Sequence, residues 1–258
     1  MGFSGLLDIF PLWAVFLIAV VVNLLSVEIG HRLARHLKKQ RSEEEKDASV
    51  GTVVGAMLGL LAFMLAFTFG LAASFFQGRR EVVLAEANAI GTTYLRAAML
   101  PKSLGTEARN LLREYVDVRL EAAQGGNVEQ AVSKSEELHN RLWSQAVAAS
   151  ENDRSPVTAL YVQTLNEVID LHAKRVMIAL RSRVPGVIWM VLCLLAIISM
   201  AAMGYHQGLI STRRSLAVLA LVFAFSVVMY LIADLDRPGA GMFRVSQQSM
   251  IDLRNSMK

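Results

Sequence analysis

The chain has 258 residues, 54% of them hydrophobic and only 19% charged, with a mean hydropathy of +0.42. An ordinary soluble domain carries roughly 25% charged residues, so a soluble globular enzyme is excluded as the default reading. The net charge of +4 gives nucleic-acid binding little support, and the lone Cys193 excludes a disulfide framework or a thiolate metal cluster.

The first apolar run is Ile9–Ile29, opened by Pro11 and interrupted by Asn23, Ser26 and Glu28. No Lys or Arg precedes it and no small-residue cleavage site follows it, so it reads as a retained membrane span. The start MGFSGL lacks the Ser or Thr at position 6 of an N-myristoylation signal. A loop over Gly30–Ser49 holds Arg32, Arg35, Lys38, Lys39, Arg41 and Lys46, and its Ser42–Asp47 run reads as a solvated face.

The second run, Val50–Phe76, has 27 residues and no charged side chain. As a helix it measures about 40 Å against a hydrocarbon core of about 30 Å, so it must tilt or protrude. Gly51, Gly55 and Gly59 are four apart on one face, the small-residue spacing that lets helix backbones approach closely in lipid. One turn on, Phe63 and Phe67 share a face with Leu60 and Gly70. If that face points to a common axis, a glycine-wide vestibule narrows to an aromatic constriction, and hydrophobic constrictions can gate by dewetting. Arg79, Arg80 and Glu86 follow as candidate charges at a pore mouth, where arginines would raise local anion concentration. Snorkelling interfacial anchors are the other reading of the two arginines.

Residues 77–183 form the polar part, with 14 Lys+Arg and 13 Asp+Glu. The pattern predicts helices throughout. Gln77–Leu100 continues the second span, and Pro101 breaks it. Thr106–Gln124 carries a stripe through Leu111, Leu112, Tyr115, Val116, Leu120 and Ala123. Gly125-Gly126 ends that helix. Val128–Ser150 follows, and Ser155 with Pro156 starts the next helix as N-cap and first-turn proline.

Two further spans close the chain, about Pro185–Tyr205 and about Leu216–Ala233. The expected organisation is residues 1–76 for spans one and two with the basic loop, 77–183 for an extramembrane helical insert, 184–233 for spans three and four, and 234–258 for a tail packing on the bundle. The expected fold class is therefore all-α: a polytopic membrane protein with four transmembrane helices and a helical bundle. After span four, Asp234 and Asp236 with Arg237 and Pro238 make a charged corner. Two such carboxylates could help bind a hard cation such as calcium, but a structural cap is the simpler expectation, and no metal site is assigned. No cofactor or catalytic motif is present: there is no HExxH, GxSxG, P-loop or GxGxxG. His31, His36, His139, His172 and His206 are scattered and read as surface or interfacial residues.

Orientation is balanced by charge. Arg32, Arg35, Lys38, Lys39, Arg41, Lys46, Arg213 and Arg214 flank one side of the spans; Arg79, Arg80, Lys174, Arg175, Arg181, Arg183, Arg237 and Arg244 flank the other. The dense first loop tips the positive-inside rule towards an outward-facing insert.

The segments LAFMLAFTFGLAASFFQGRREVVLAEANAIGTTYLR (Leu61–Arg96) and DLDRPGAGMFRVSQQSMIDLR (Asp234–Arg254) resemble the bestrophin-like family of bacterial membrane proteins, a domain of unknown function. A more distant resemblance to the bestrophins rests on the four-span order with its insert. It rests also on the Leu65-Ala66-Phe67 pattern leading to Arg80, and on the corner of Asp234, Asp236 and Pro238. The bestrophin resemblance implies a pentameric ion channel with the second span around the pore, Phe63 and Phe67 in its neck, and Gly59 at a further neck position, where a glycine widens the constriction. It implies a cytoplasmic insert, opposite to the lean of the charges. The acidic cluster of the calcium clasp in animal bestrophins has no counterpart here, so calcium gating is not expected.

The expected function is thus an oligomeric, non-enzymatic ion channel of a bacterial inner membrane, with the lipid bilayer, further copies of itself and small inorganic ions as partners. The alternative is a non-conducting membrane scaffold or sensor whose bundle binds a protein. A membrane enzyme would need a polar cluster at membrane depth, which only Asn23, Ser26 and Glu28 approach.

Overall fold

A computed structural model describes residues 10–38, 47–210, 216–237, 239 and 241–257. Lys39, Arg41, Lys46, Arg213, Arg214 and Pro238, with residues 42–46 of the acidic run, lie outside the described residues. Among those described there are eight helices and no strand. They are α1 (Leu12–Lys38), α2 (Asp47–Ala97), α3 (Lys102–Ala123), α4 (Val128–Asn152), α5 (Pro156–Arg181), α6 (Gly186–Ile210), α7 (Leu216–Asp236) and α8 (Gln248–Ser256).

Four of these, α1, α2, α6 and α7, are long and apolar enough to cross a membrane. Backbone groups in lipid must be satisfied within the segment, which a helix does and an isolated strand cannot. The protein is a multi-pass membrane protein. At 51 residues α2 is about 75 Å long, far beyond a bilayer core. Its uncharged stretch ends at Phe76, and the helix continues through Gln77–Ala97.

The chain divides into two compact units, residues 1–75 with 183–243, and residues 76–182 with 244–258. In the first, α1 packs along α6 and α7. The close approach is made by Gly30, Gly204 and Gly208. A Cβ on Gly30 would overlap the Ala201 carbonyl, one on Gly204 the Val27 carbonyl, and one on Gly208 would reach the His31 carbonyl at 2.8 Å. These glycines are what lets two helices of large side chains bring their backbones together. Gly51 faces the His206 imidazole, while a Cβ on Gly55 or Gly59 would meet nothing within 4 Å. The close approach of the α1 and α6 backbones is thus carried by Gly30, Gly204 and Gly208. Asn23, buried in α1, donates to the Ser226 hydroxyl of α7 at 3.2 Å, and Ser26 donates to the Val22 carbonyl. Asn23 thus joins two helices, and Ser26 satisfies its hydroxyl within its own helix.

In the second unit the extension of α2 packs with α3, α4, α5 and α8 around Ile90, Leu112, Tyr115, Leu138, Leu142, Leu165, Val168 and Met250. The punctuation falls where the residue chemistry puts it. Ser155 accepts from Thr158 N–H at the start of α5, with Pro156 in the first turn. Gly125 takes φ +104° after α3, and the Gly126 N–H closes on the Glu121 carbonyl at 3.1 Å. That left-handed turn ends the helix at little cost only with glycine. Helix α8 returns onto α3. There Arg113 donates to the Met257 carbonyl at 2.8 Å, and Arg254 pairs with Asp117.

Candidate functional site

Helix α2 has one buried and one uncovered face. In the membrane unit Val54, Leu61, Leu65, Thr68 and Ala72 are buried, three or four apart beyond the first step. The opposite face presents Ala56, Gly59, Phe63, Phe67 and Gly70 to the outside. Phe63 is 65% exposed and Phe67 58%, with Leu60 beside them at 50%. Gly70, like Gly59, has open space where a side chain would stand. All five residues expected around a neck (Gly59, Leu60, Phe63, Phe67 and Gly70) are thus uncovered within the single chain. Both faces are apolar, so the sequence alone does not distinguish them.

In the second unit the same helix leaves Gln77, Glu81, Leu84, Asn88, Thr92 and Leu95 uncovered. Arg80 is exposed, whereas Arg79 is buried and donates to the Ser182 carbonyl at 3.3 Å. Glu86 lies on the covered side and is fully buried.

Glu86 is the centre of an interior polar network. Tyr115 of α3 donates to its Oε1 at 2.5 Å, Arg175 of α5 to its Oε2, and Arg119 of α3 lies 3.6 Å from Oε1. Gln247, just before α8, accepts from the other side of Arg175 at 2.9 Å. Burial pushes the Glu86 carboxyl up, but the positive charges of Arg175 and Arg119 and the Tyr115 bond outweigh it and hold the group below its ordinary value. Glu86 is therefore an ionised acceptor. The single Tyr115 proton goes to it, so the Tyr115 oxygen accepts from His172 Nδ1, 3.1 Å away. This fixes His172 as the Nδ1–H tautomer and leaves its Nε2 as a lone pair, buried without a hydrogen-bond partner. His139 of α4 stands edge-on to His172 with ring centroids 4.9 Å apart, and its Nε2 is likewise buried and unpartnered. The expectation of surface histidines is corrected for these two: both are interior, about 5% exposed. Arg175, counted above among the charges flanking the spans, is engaged by this network.

The corner after α7 folds on its carboxylates. The buried Asp234 accepts the Met242 N–H at 3.1 Å with both oxygens, and Asp236 accepts the Val184 N–H at 2.7 Å. Gly241, at φ +103°, is required because a Cβ there would overlap Asp234. Arg237 donates to the Phe10 carbonyl at 2.8 Å. These carboxylates hold backbone turns, and no group of three or more metal-ligating side chains occurs among the described residues.

Four apolar helices, with no strand among the described residues, define a polytopic α-helical membrane protein. The family model of the bestrophin-like domain matches residues 15–250, and the chain belongs to that family. Three crystal structures of membrane proteins share the fold. One has a TM-score of 0.65 at 11% identity over 93% of this chain and 97% of that one. Another has 0.63 at 11% over 94% and 95%, and a third 0.61 at 10% over 95% and 97%. No curated protein matches the chain.

Proposed function

We propose that the protein is an oligomeric ion channel whose pore is lined by copies of α2. The observation that carries this reading is the uncovered face of α2 in the membrane unit, where Gly59 and Gly70 bracket Phe63 and Phe67. Close-packed copies of one helix need small residues to approach and a constriction to control flow; this face supplies both. Five copies around the axis is the number the bestrophin resemblance implies. Phe63 and Phe67 then form a neck that conducts when wetted, with Gly59 giving a wider approach. Small inorganic ions are the permeant species, and the exposed Arg80 biases their concentration beyond the neck. The site of action is a bacterial inner membrane, and the protein performs no catalysis.

Purified protein in planar bilayers is expected to pass unitary currents. A well-folded oligomer that stays silent across ions, pH and voltage overturns the reading and favours the non-conducting scaffold or sensor.

A further inference from the structure

The network around Glu86 contains two imidazoles whose Nε2 atoms, like Arg119 Nε beside them, are buried without a hydrogen-bond partner. A core of this kind is ordinarily leucine and alanine, and buried polar atoms are almost always hydrogen-bonded. Here two imidazole nitrogens, Nε2 of His139 and Nε2 of His172, are buried side by side with no partner. The surroundings decide what they can accept. From α2 the pair faces Glu86; from α3, Tyr115 and Arg119; from α5, Arg175, which Gln247 bonds on its far side. Glu86 is already engaged by two guanidiniums and a hydroxyl, so it has little left to offer a new cation. Two arginines against one carboxylate also make the pocket net positive, which argues against a metal ion and makes any added positive charge disruptive.

We propose that His139 and His172 form a proton-sensitive latch in the helical insert. Uptake of a proton by either imidazole, beside Arg119 and Arg175, loosens the packing of α3, α4 and α5. The three helices meet at this pair, with the Tyr115 ring tilted against His139 at 4.8 Å between centroids and edge-on to His172 at 6.0 Å. A charge placed there is felt by all of them. Burial lowers both histidines to about 4, with Arg119 adding to the effect at each and Arg175 at His172; Glu86 offsets it in part. In a loosened insert they return towards the ordinary value of about 6.5. The loosened form therefore binds more protons between about pH 6.5 and pH 4. Across that window falling pH favours loosening, by up to about tenfold per pH unit for each histidine. Above pH 6.5 the latch is closed. The inference concerns the insert alone and does not depend on conduction.

Hydrogen exchange on the full-length protein in lipid nanodiscs tests it, with rates corrected for the intrinsic pH dependence of exchange. Between pH 6.5 and 5 the protection of α3, α4 and α5 is expected to fall at least tenfold in the wild type, and to stay level in the double variant His139→Gln/His172→Gln. A wild type with unchanged protection, or a double variant with the same acid loss, overturns the proposal. Should the double variant not fold, the wild type still decides. Side-chain NMR of the two histidines is expected to show them neutral at pH 6, and titration of both near 6.5 in the folded protein overturns the latch.

Discussion

Arg175 of α5 reaches Glu86 of α2 inside the helical insert, across 89 residues of chain, and shares the carboxylate with Arg119 and Tyr115. Glu86 is wholly shielded from solvent and Arg119 nearly so, so the network stands or falls as a unit. Removing one partner of a buried ion pair leaves an uncompensated charge, which costs about 3–5 kcal/mol. Glu86→Gln is expected to destabilise the insert by that amount in denaturant titrations. Tyr115→Phe, which leaves the His172 Nδ1–H unpaired, is expected to cost about 1–3 kcal/mol. The loss should appear as faster hydrogen exchange in α3 and α5.

The same carboxylate sets an acid limit distinct from the histidine window. Its folded pKa lies below the ordinary 4.5, so its stabilisation is complete above 4.5 and is lost as pH falls through the lower folded value. Stability measured from pH 4 to pH 3, below the histidine window, is expected to fall in the wild type. In Glu86→Gln that limb should be much shallower.

Gly204 and the Val27 carbonyl are in direct contact between α6 and α1. Gly204→Ala must push the helices apart, and overpacking of this kind costs about 1–3 kcal/mol. Gly59→Ala meets nothing within the protomer and replaces glycine with a better helix former. Thermal unfolding in detergent is therefore expected to drop for Gly204→Ala and not for Gly59→Ala. Any effect of Gly59→Ala should appear in the oligomer, by size-exclusion with light scattering.

Phe63→Ala with Phe67→Ala removes both large side chains of the proposed neck without disturbing the buried face of α2. Oligomer size is expected to persist while unitary conductance changes by severalfold. Unaltered currents would place the constriction elsewhere.

The spans were legible because a run such as Val50–Phe76 is too long and too apolar for anything but a membrane helix. The insert helices were legible through local chemistry: the Leu111, Leu112, Tyr115, Val116 stripe, the Ser155-Pro156 start and the Gly125-Gly126 stop. The interior of the insert was not. Glu86, Tyr115, His139 and His172 sit on four different helices, and no spacing in the sequence links them, so two buried histidines read as surface residues. The packing glycines were half visible. Gly204 and Gly208 are four apart, the same signal as Gly51 and Gly55, but only the partner helix shows which series brings backbones together. The apolar character of α2 on both sides likewise hid which face is covered, and burial in the folded chain separates them.

The most direct test of the account is a cryo-EM map of the protein in lipid, read for the placement of Phe67. Several copies of α2 around one axis are expected, with the Phe63 and Phe67 rings converging on it and Gly59 opposite its own copies. A monomer, or an assembly in which Phe67 points outward to the acyl chains, would contradict it.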